Sequence, residues 1–222
     1  MNSNLSVAEE NYIKAIYHLQ QADSNVATND VAARLQTKAA SVTDMLKKLK
    51  QKKILDYEKY KGFRLSKQGD KIALAIIRKH RLWEFFLVEK LHFGWDEVHE
   101  VAEELEHITS KKLIDKLDLF LGNPKFDPHG DPIPDCNGKL PSQPQINLTE
   151  LPFNTQASIS AVGSQKNELL DLLKHKKIAL GTLIEVKAKF EFDNSLDVKI
   201  DGKTLHNLSQ QLAQTLFVKL VN

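Results

Sequence analysis

Thr37-Lys-Ala-Ala-Ser41-Val-Thr-Asp-Met45-Leu-Lys-Lys-Leu49 is the stretch on which the fold turns. Val42, Met45, Leu46 and Leu49 recur at i, i+3, i+4 and i+7, the spacing of one buried helix face. The opposite face carries Thr37, Lys38, Ala40, Ser41, Thr43, Asp44, Lys47 and Lys48. That face suits the major groove of double-stranded DNA. Small residues permit close approach, and hydroxyls and ammonium groups reach phosphates. Ala40 can touch a thymine methyl, and Asp44 can accept from cytosine N4.

Upstream, Ser6-Val-Ala-Glu9 is a capping box opening a first helix with the apolar stripe Tyr12, Ile13, Ile16 and Leu19. A polar loop, Gln21–Asn25, follows. Thr28 is placed to cap a short second helix carrying Val31 and Leu35, and Gln36-Thr37 turns into the third. Downstream, Ile54–Tyr60 and Phe63–Leu65 flank Lys61-Gly62 as a β-hairpin wing. From Lys47 to Arg64 there are eight basic and two acidic residues, a local net charge of +6, against +2 for the whole chain. Such a local field is the electrostatic footprint of phosphate contact, and Lys61 and Arg64 belong to it. The reading is a winged helix-turn-helix. A trihelical core with a solvated lysine-rich face explains the stripe but leaves the basic hairpin without a purpose.

The rest of the composition sets limits. The 222 residues are 41% hydrophobic, enough for one large core or two smaller ones. A single cysteine, Cys136, excludes an intramolecular disulfide and fits a reducing compartment. No stretch is long and apolar enough to span a bilayer, and Met1–Ser6 lacks the basic and apolar regions of a signal peptide, so the expectation is a cytoplasmic protein with no membrane partner. All seven prolines fall between Pro124 and Pro152, where helices cannot continue. Beyond them Ala157–Val162, Leu183–Phe192 and Leu196–Ile200 read as strands, Lys166–His175 as a helix, and Asp201-Gly202 as a hairpin turn. The fold class is therefore mainly α with a small C-terminal β-barrel. The expected division is 1–70 for DNA binding, 71–140 for a helical domain, 141–151 for a linker and 152–222 for the barrel.

The helical domain carries a second signal. A helix from about Gly69 to Leu91 holds His80 and Glu84 on one face. Asp96 can cap the next helix, whose apolar face is Val98, Val101, Ala102, Leu105 and Ile108. His99, Glu103, Glu106 and His107 fall within an arc of about 100° beside it. Glu97, Glu100, Glu103, Glu104 and Glu106 stand here with no Lys or Arg between Trp95 and Ser110. Crowded carboxylates repel, and a cation relieves this; mixed carboxylate and imidazole donors suit Mn²⁺, Fe²⁺, Zn²⁺, Co²⁺ or Ni²⁺. A solvated acidic face balancing Lys111 and Lys112 has the same pattern, so spacing alone leaves both readings open.

Several runs together resemble the diphtheria toxin repressor and manganese transport regulator family: Glu10-Asn-Tyr12-Ile-Lys-Ala-Ile-Tyr17, Ser41-Val-Thr43, Arg78-Lys-His80-Arg-Leu82, Val98-His99, Glu103-x-x-Glu106-His107 and Pro132-Ile-Pro134. Residues 152–222, through Leu169–Leu173 and Leu180-Gly181-Thr182, resemble the SH3-like domain, related to a bacterial iron-transport accessory domain, that ends longer members. The resemblance implies a homodimeric repressor of metal-uptake genes, activated by Mn(II) or Fe(II) and binding a palindromic operator. It implies one metal site at His80, Glu103, Glu106 and His107, and a second at Glu84 and His99 with Gln165 or Glu168 from the barrel. Asp127 and His129 occupy places that supply ligands in some relatives. Where the iron-responsive branch has cysteine and methionine, this chain has Glu103 and Asn11; the manganese-responsive branch has glutamate and aspartate. Glu103 thus leans to Mn(II), an oxygen-seeking cation, while Asn11 matches neither branch. Dimerisation is assigned to Leu113, Ile114, Leu117, Phe120 and Leu121. A metal-independent winged-helix regulator is the main rival. A metallohydrolase is disfavoured, since no nucleophile elbow or phosphate-binding glycine loop is present.

Overall fold

The computed structural model describes residues 5–20, 25–58, 62–95, 97–142, 145–164 and 166–221. Its contacts divide it into two compact units. The first comprises residues 1–80, 104–115 and 134–139, the second residues 81–103, 116–133 and 140–222.

In the first unit, α1 (Val7–Leu19) starts at the expected capping box. The Ser6 hydroxyl accepts from the Glu9 N–H at 3.3 Å, and Glu9 Oε2 accepts from the Ser6 N–H at 2.8 Å. α2 (Thr28–Arg34) departs from expectation at its start. Thr28 is the first helical residue rather than the cap, because the Asp30 carboxylate reaches back to the Ala27 N–H at 3.2 Å and closes the end instead. α3 (Ala39–Gln51) buries Val42 and Leu49, with Met45 and Leu46 packed on the same core. Ile13, Ile16, Val31, Ile54, Phe63 and Ile76 complete it.

The wing is β1 (Leu55–Glu58) against β2 (Gly62–Leu65), with Leu55 opposite Leu65. Phe63 and Val26 exchange backbone hydrogen bonds at 2.8 and 3.2 Å, so a third segment joins the hairpin. That approach requires glycine at 62. Its φ is +105°, and a Cβ there would lie 2.6 Å from the Val26 carbonyl. The wing tip, with Lys61, and loop residues 21–24 lie outside the described residues. α4 (Lys67–Leu91) begins two residues earlier than expected, since the Ser66 hydroxyl caps it by accepting from the Gly69 N–H at 3.1 Å. It runs unbroken through residue 70, where a domain boundary was expected.

α5 (Val98–Leu105) is shorter than the pattern implied. The expected cap, Asp96, lies outside the described residues. The helix ends at Leu105, so Glu106 and His107 sit in a following turn rather than on its face. α6 spans Lys111–Phe120.

The second unit is built on a six-stranded antiparallel sheet in the order β3-β8-β4-β5-β6-β7. The strands are β3 (Ile146–Asn147), β4 (Gln156–Val162), β5 (Leu183–Lys189), β6 (Leu196–Ile200), β7 (Thr204–Leu208) and β8 (Leu216–Leu220). α7 (Asn167–His175) and the short α8 (Gln210–Ala213) close over it. Leu148, Ile159, Leu173, Ile178, Val186, Val198 and Leu216 form the centre of its core. Residues 146–151, expected as linker, belong to this sheet: Ile146 and Asn147 pair with β8, and Leu148 and Leu151 are buried in the core. β5 stops at Lys189, short of Phe192, which is fully exposed in the turn to β6. Asp201-Gly202 makes the expected hairpin, whose second strand, β7, the hydrophobic pattern did not reveal; nor did it reveal β8. β4 is interrupted between Ile159 and Ala161, which bulges Ser160 out of register.

Candidate nucleic-acid interface and metal-ligating clusters

The recognition face stands as the periodicity implied. Lys38, Ala40, Ser41, Thr43, Asp44, Lys47 and Lys48 are all exposed along or just before α3, and Thr37 is half-buried. Not every polar group there is equally available. The Thr43 hydroxyl donates to the Ala39 carbonyl at 2.9 Å, and Lys47 pairs with Asp44 at 3.2 Å. Lys48 reaches back to Glu9 at 3.3 Å, and Lys52 joins the same carboxylate oxygen at 2.6 Å. Burial opposes the Glu9 charge, but the two lysines and the Ser6 N–H overcome it and hold its pKa at about 2. Arg64 on the wing is half-buried and faces Asp70 electrostatically.

Two polar clusters emerge, one in each unit. In the first unit, α1 contributes Glu10, Asn11 and Lys14, α4 contributes Lys79 and His80, and the turn after α5 contributes Glu106 and His107. Glu106 is wholly buried. His80 Nδ1 lies 2.7 Å from its Oε2, while Lys14 donates to both of its oxygens at 2.7 and 2.8 Å. Burial alone would raise the Glu106 pKa; the His80 and Lys14 partners outweigh it and lower it. His107 Nδ1 meets Glu10 Oε2 at 2.6 Å, with Lys79 3.8 Å from the same oxygen. Burial presses the Lys79 pKa down against the pull of Glu10 and Glu106. Asn11 Oδ1 is buried and accepts no hydrogen bond from a described residue.

In the second unit, Glu84 Oε1 lies 3.3 Å from His99 Nδ1 and 3.9 Å from His129 Nε2. Glu103 faces His99 Nε2 at 3.5 Å. His129 is completely buried, with its ring stacked on Trp95 at 6.0 Å between centroids. Asp127 Oδ1 accepts from the His129 and Asp131 N–H groups at 2.8 and 2.9 Å. Arg81 stands 3.5 Å from both Asp127 and Asp131 and donates to the Pro132 carbonyl at 2.5 Å. Burial first, then the Asp131 and Glu84 charges, drive the Asp127 pKa well above the carboxylate range.

The sheet itself places this loop. Val162 donates to the His129 carbonyl at 3.0 Å, and Gly130 (φ +84°) sits so close to bulged Ser160 that a Cβ would lie 2.0 Å from its carbonyl oxygen. Of the two barrel positions considered as ligands, Glu168 is exposed on the first turn of α7 and Gln165 lies outside the described residues.

Sequence reasoning passed over Lys14, Glu10, Arg81 and Asp131. The signal for the first two was present: Glu10, Asn11 and Lys14 share one face of α1 at i, i+1 and i+4. The dimerisation set divides. Ile114 and Leu117 are buried within the chain at 6% and 8% exposure, Leu121 is half-buried, and Leu113 and Phe120 are exposed at 42% and 66%. Leu119 is a further exposed apolar residue of this helix. No described helix is long and apolar enough to cross a membrane.

Comparison with known proteins finds three family matches along the chain. Residues 4–63 match the N-terminal DNA-binding domain of the iron-dependent repressors, residues 66–135 their metal-binding and dimerisation domain, and residues 146–220 the FeoA domain. The iron-dependent repressor IdeR of Mycobacterium bovis is 30% identical over 157 residues, 68% of either chain. The diphtheria toxin repressor of Corynebacterium jeikeium is 27% identical over 183 residues, 81% of this chain and 76% of that one. A solved manganese-dependent transcriptional repressor in complex with manganese superposes with a TM-score of 0.86 at 32% identity, covering 96% of this chain and all of its own. The chain belongs to the iron-dependent repressor family of DNA-binding transcriptional repressors, which includes the diphtheria toxin repressor.

Proposed function

We propose that the protein is a homodimeric repressor of metal-uptake genes that binds a palindromic operator when Mn(II), or alternatively Fe(II), occupies its polar clusters. It acts in the cytoplasm and catalyses no reaction. The observation that carries this reading is Asn11 Oδ1, a buried oxygen with no hydrogen-bond donor among the described residues, on the same helix as Glu10 and in the same unit as Glu106 and His107. A buried acceptor left without a donor is costly, and a cation is one way to satisfy it. The donors of both clusters are carboxylate, amide and imidazole, with no thiolate, which favours Mn(II). Glu106, His107, His80 and Asn11 are the residues that would hold an ion in the first unit; Glu84, His99, Glu103, Asp127 and His129 would do so in the second, with Glu168 and Gln165 as further candidates.

A bound divalent ion supplies two positive charges that draw carboxylates together. The residues of the first cluster come from α1, α4 and the turn after α5, so holding them together fixes α1, the helix that Glu9 ties to α3. A dimer reads successive major grooves only when its recognition helices stand about 34–36 Å apart, and ordering these elements raises the population of that arrangement. Leu113, Leu119 and Phe120 offer the exposed apolar surface for a second copy, joined at the rim by Ile114, Leu117 and Leu121. The modules are 1–70, 71–140 and a barrel beginning at 146 rather than 152.

One observation favours a second reading, a metal-independent regulator: Lys14 already pairs with both Glu106 oxygens, and His80 Nδ1 lies 2.7 Å from one of them. Operator-fragment mobility shift titrated with Mn²⁺, Fe²⁺, Zn²⁺ and Co²⁺ under reducing conditions separates the two. Operator affinity that rises with Mn²⁺ supports the switch. Affinity unchanged across all four ions refutes it.

A further inference from the structure

Lys14 holds both oxygens of the Glu106 carboxylate. Its ammonium lies 2.7 and 2.8 Å from the two carboxylate oxygens, a forked contact with a wholly buried acid, and the lysine side chain is itself only 13% exposed. The opposing charges of the first-unit cluster are evenly matched: Glu10 and Glu106 against Lys14 and Lys79. Lys14 thus already compensates the buried Glu106 charge. A carboxylate oxygen has few lone-pair directions, and here each oxygen already accepts a hydrogen bond from Lys14 while Oε2 also meets His80.

We propose that Lys14 is a tethered internal cation that must leave the Glu106 carboxylate before a divalent ion can be coordinated there, and so sets the metal concentration at which the switch responds. This rests on the reading that Glu106 is a metal ligand. Two cations cannot share the same pair of oxygens at contact distance without strong repulsion, whatever the remaining ligands are. Coordination at Glu106 costs the Lys14 contact, so the ion must bind tightly enough to offset its loss. The lysine acts on both ends of the equilibrium: it stabilises the empty state and weakens the loaded one.

The test is direct binding of Mn²⁺ to the full chain, without DNA, by counting free Mn²⁺ with electron paramagnetic resonance. The parent is compared with Glu106→Gln, Lys14→Gln, Lys14→Met and Lys14→Arg, together with the melting temperature of each metal-free protein. Loss of one class of Mn²⁺ sites in Glu106→Gln establishes the underlying reading. A titration of Glu106→Gln identical to the parent refutes that reading and the proposal with it. Given the loss, Lys14→Gln and Lys14→Met are expected to tighten that class roughly tenfold or more. Their metal-free melting temperature should fall, and Lys14→Arg should restore parental affinity. A purely structural lysine would lower stability and metal affinity together. Unchanged or weaker Mn²⁺ binding in both neutral variants, with the Glu106 class intact in the parent, overturns the role of Lys14 while leaving the metal site standing.

Discussion

Glu9→Gln tests the link between the first helix and the recognition helix. Glu9 divides its two oxygens: Oε2 closes the capping box on the Ser6 N–H, and Oε1 takes Lys48 and Lys52 of the α3 end. Glutamine keeps an acceptor for Ser6 and removes only the charge. The folded pKa of about 2, against an ordinary 4.5, corresponds to about 3 kcal/mol if fully realised. Lys48 is half exposed and Lys52 about a third, so solvent screens the pairs and about 1–2 kcal/mol is expected. The sign follows from linkage. Folding favours the ionised form, so this stability is present above pH 4.5 and is lost as pH falls through 2. Hydrogen exchange on peptides covering α1 and α3, corrected for intrinsic rates, should show the variant less protected by this amount at pH 7. The deficit should have more than halved by pH 3. An equal deficit at pH 7 and pH 3 would mean that the uncharged contacts of Glu9, not its ion pairs, join the helices.

Gly130→Ala places a methyl group 2.0 Å from the Ser160 carbonyl and a side chain at φ +84°, so the Asp127–Gly130 turn must leave β4; a loss of roughly 2–4 kcal/mol is expected by urea denaturation, and parental stability would show that the turn adapts. Asp127→Asn keeps the acceptor for the His129 and Asp131 N–H groups while removing a charge that burial, Asp131 and Glu84 oppose. The folded pKa is raised, so the parent carboxylate loses stability as pH rises above its ordinary range. The variant should therefore melt higher than the metal-free parent at pH 7, by the equivalent of about 1 kcal/mol, with the advantage disappearing in acid. A lower melting temperature at pH 7 would count against this. Lys47→Ala, at an exposed position paired with the exposed Asp44, should reduce the salt slope of operator binding by about one; an unchanged slope would mean that Lys47 touches no phosphate.

Much of the chain was legible from its residues because local rules govern it. The Ser6–Glu9 capping box, the α3 stripe, the wing and the Asp201-Gly202 turn each depend on contacts within a few residues, and all four formed. The +6 charge around α3 is likewise a property of the chain order, whatever the fold does. Where local reading failed, a distant partner decided. Ile146–Leu151 looked like linker amid prolines, yet β8, some seventy residues away, recruits it into the sheet. The periodicity beyond Asp96 implied a helix carrying Glu106 and His107, but the helix stops at Leu105 and the turn sends both toward α1. Periodicity registers only the neighbours at three and four positions, and so it cannot report that Lys14, ninety-two residues earlier, claims the Glu106 carboxylate. The sequence by itself determined which residue types stand ready to meet DNA and cations, because those depend on composition and helical spacing. Only the tertiary structure decided which carboxylate answers which cation, because burial and long-range contact set the electrostatic partner of each charge.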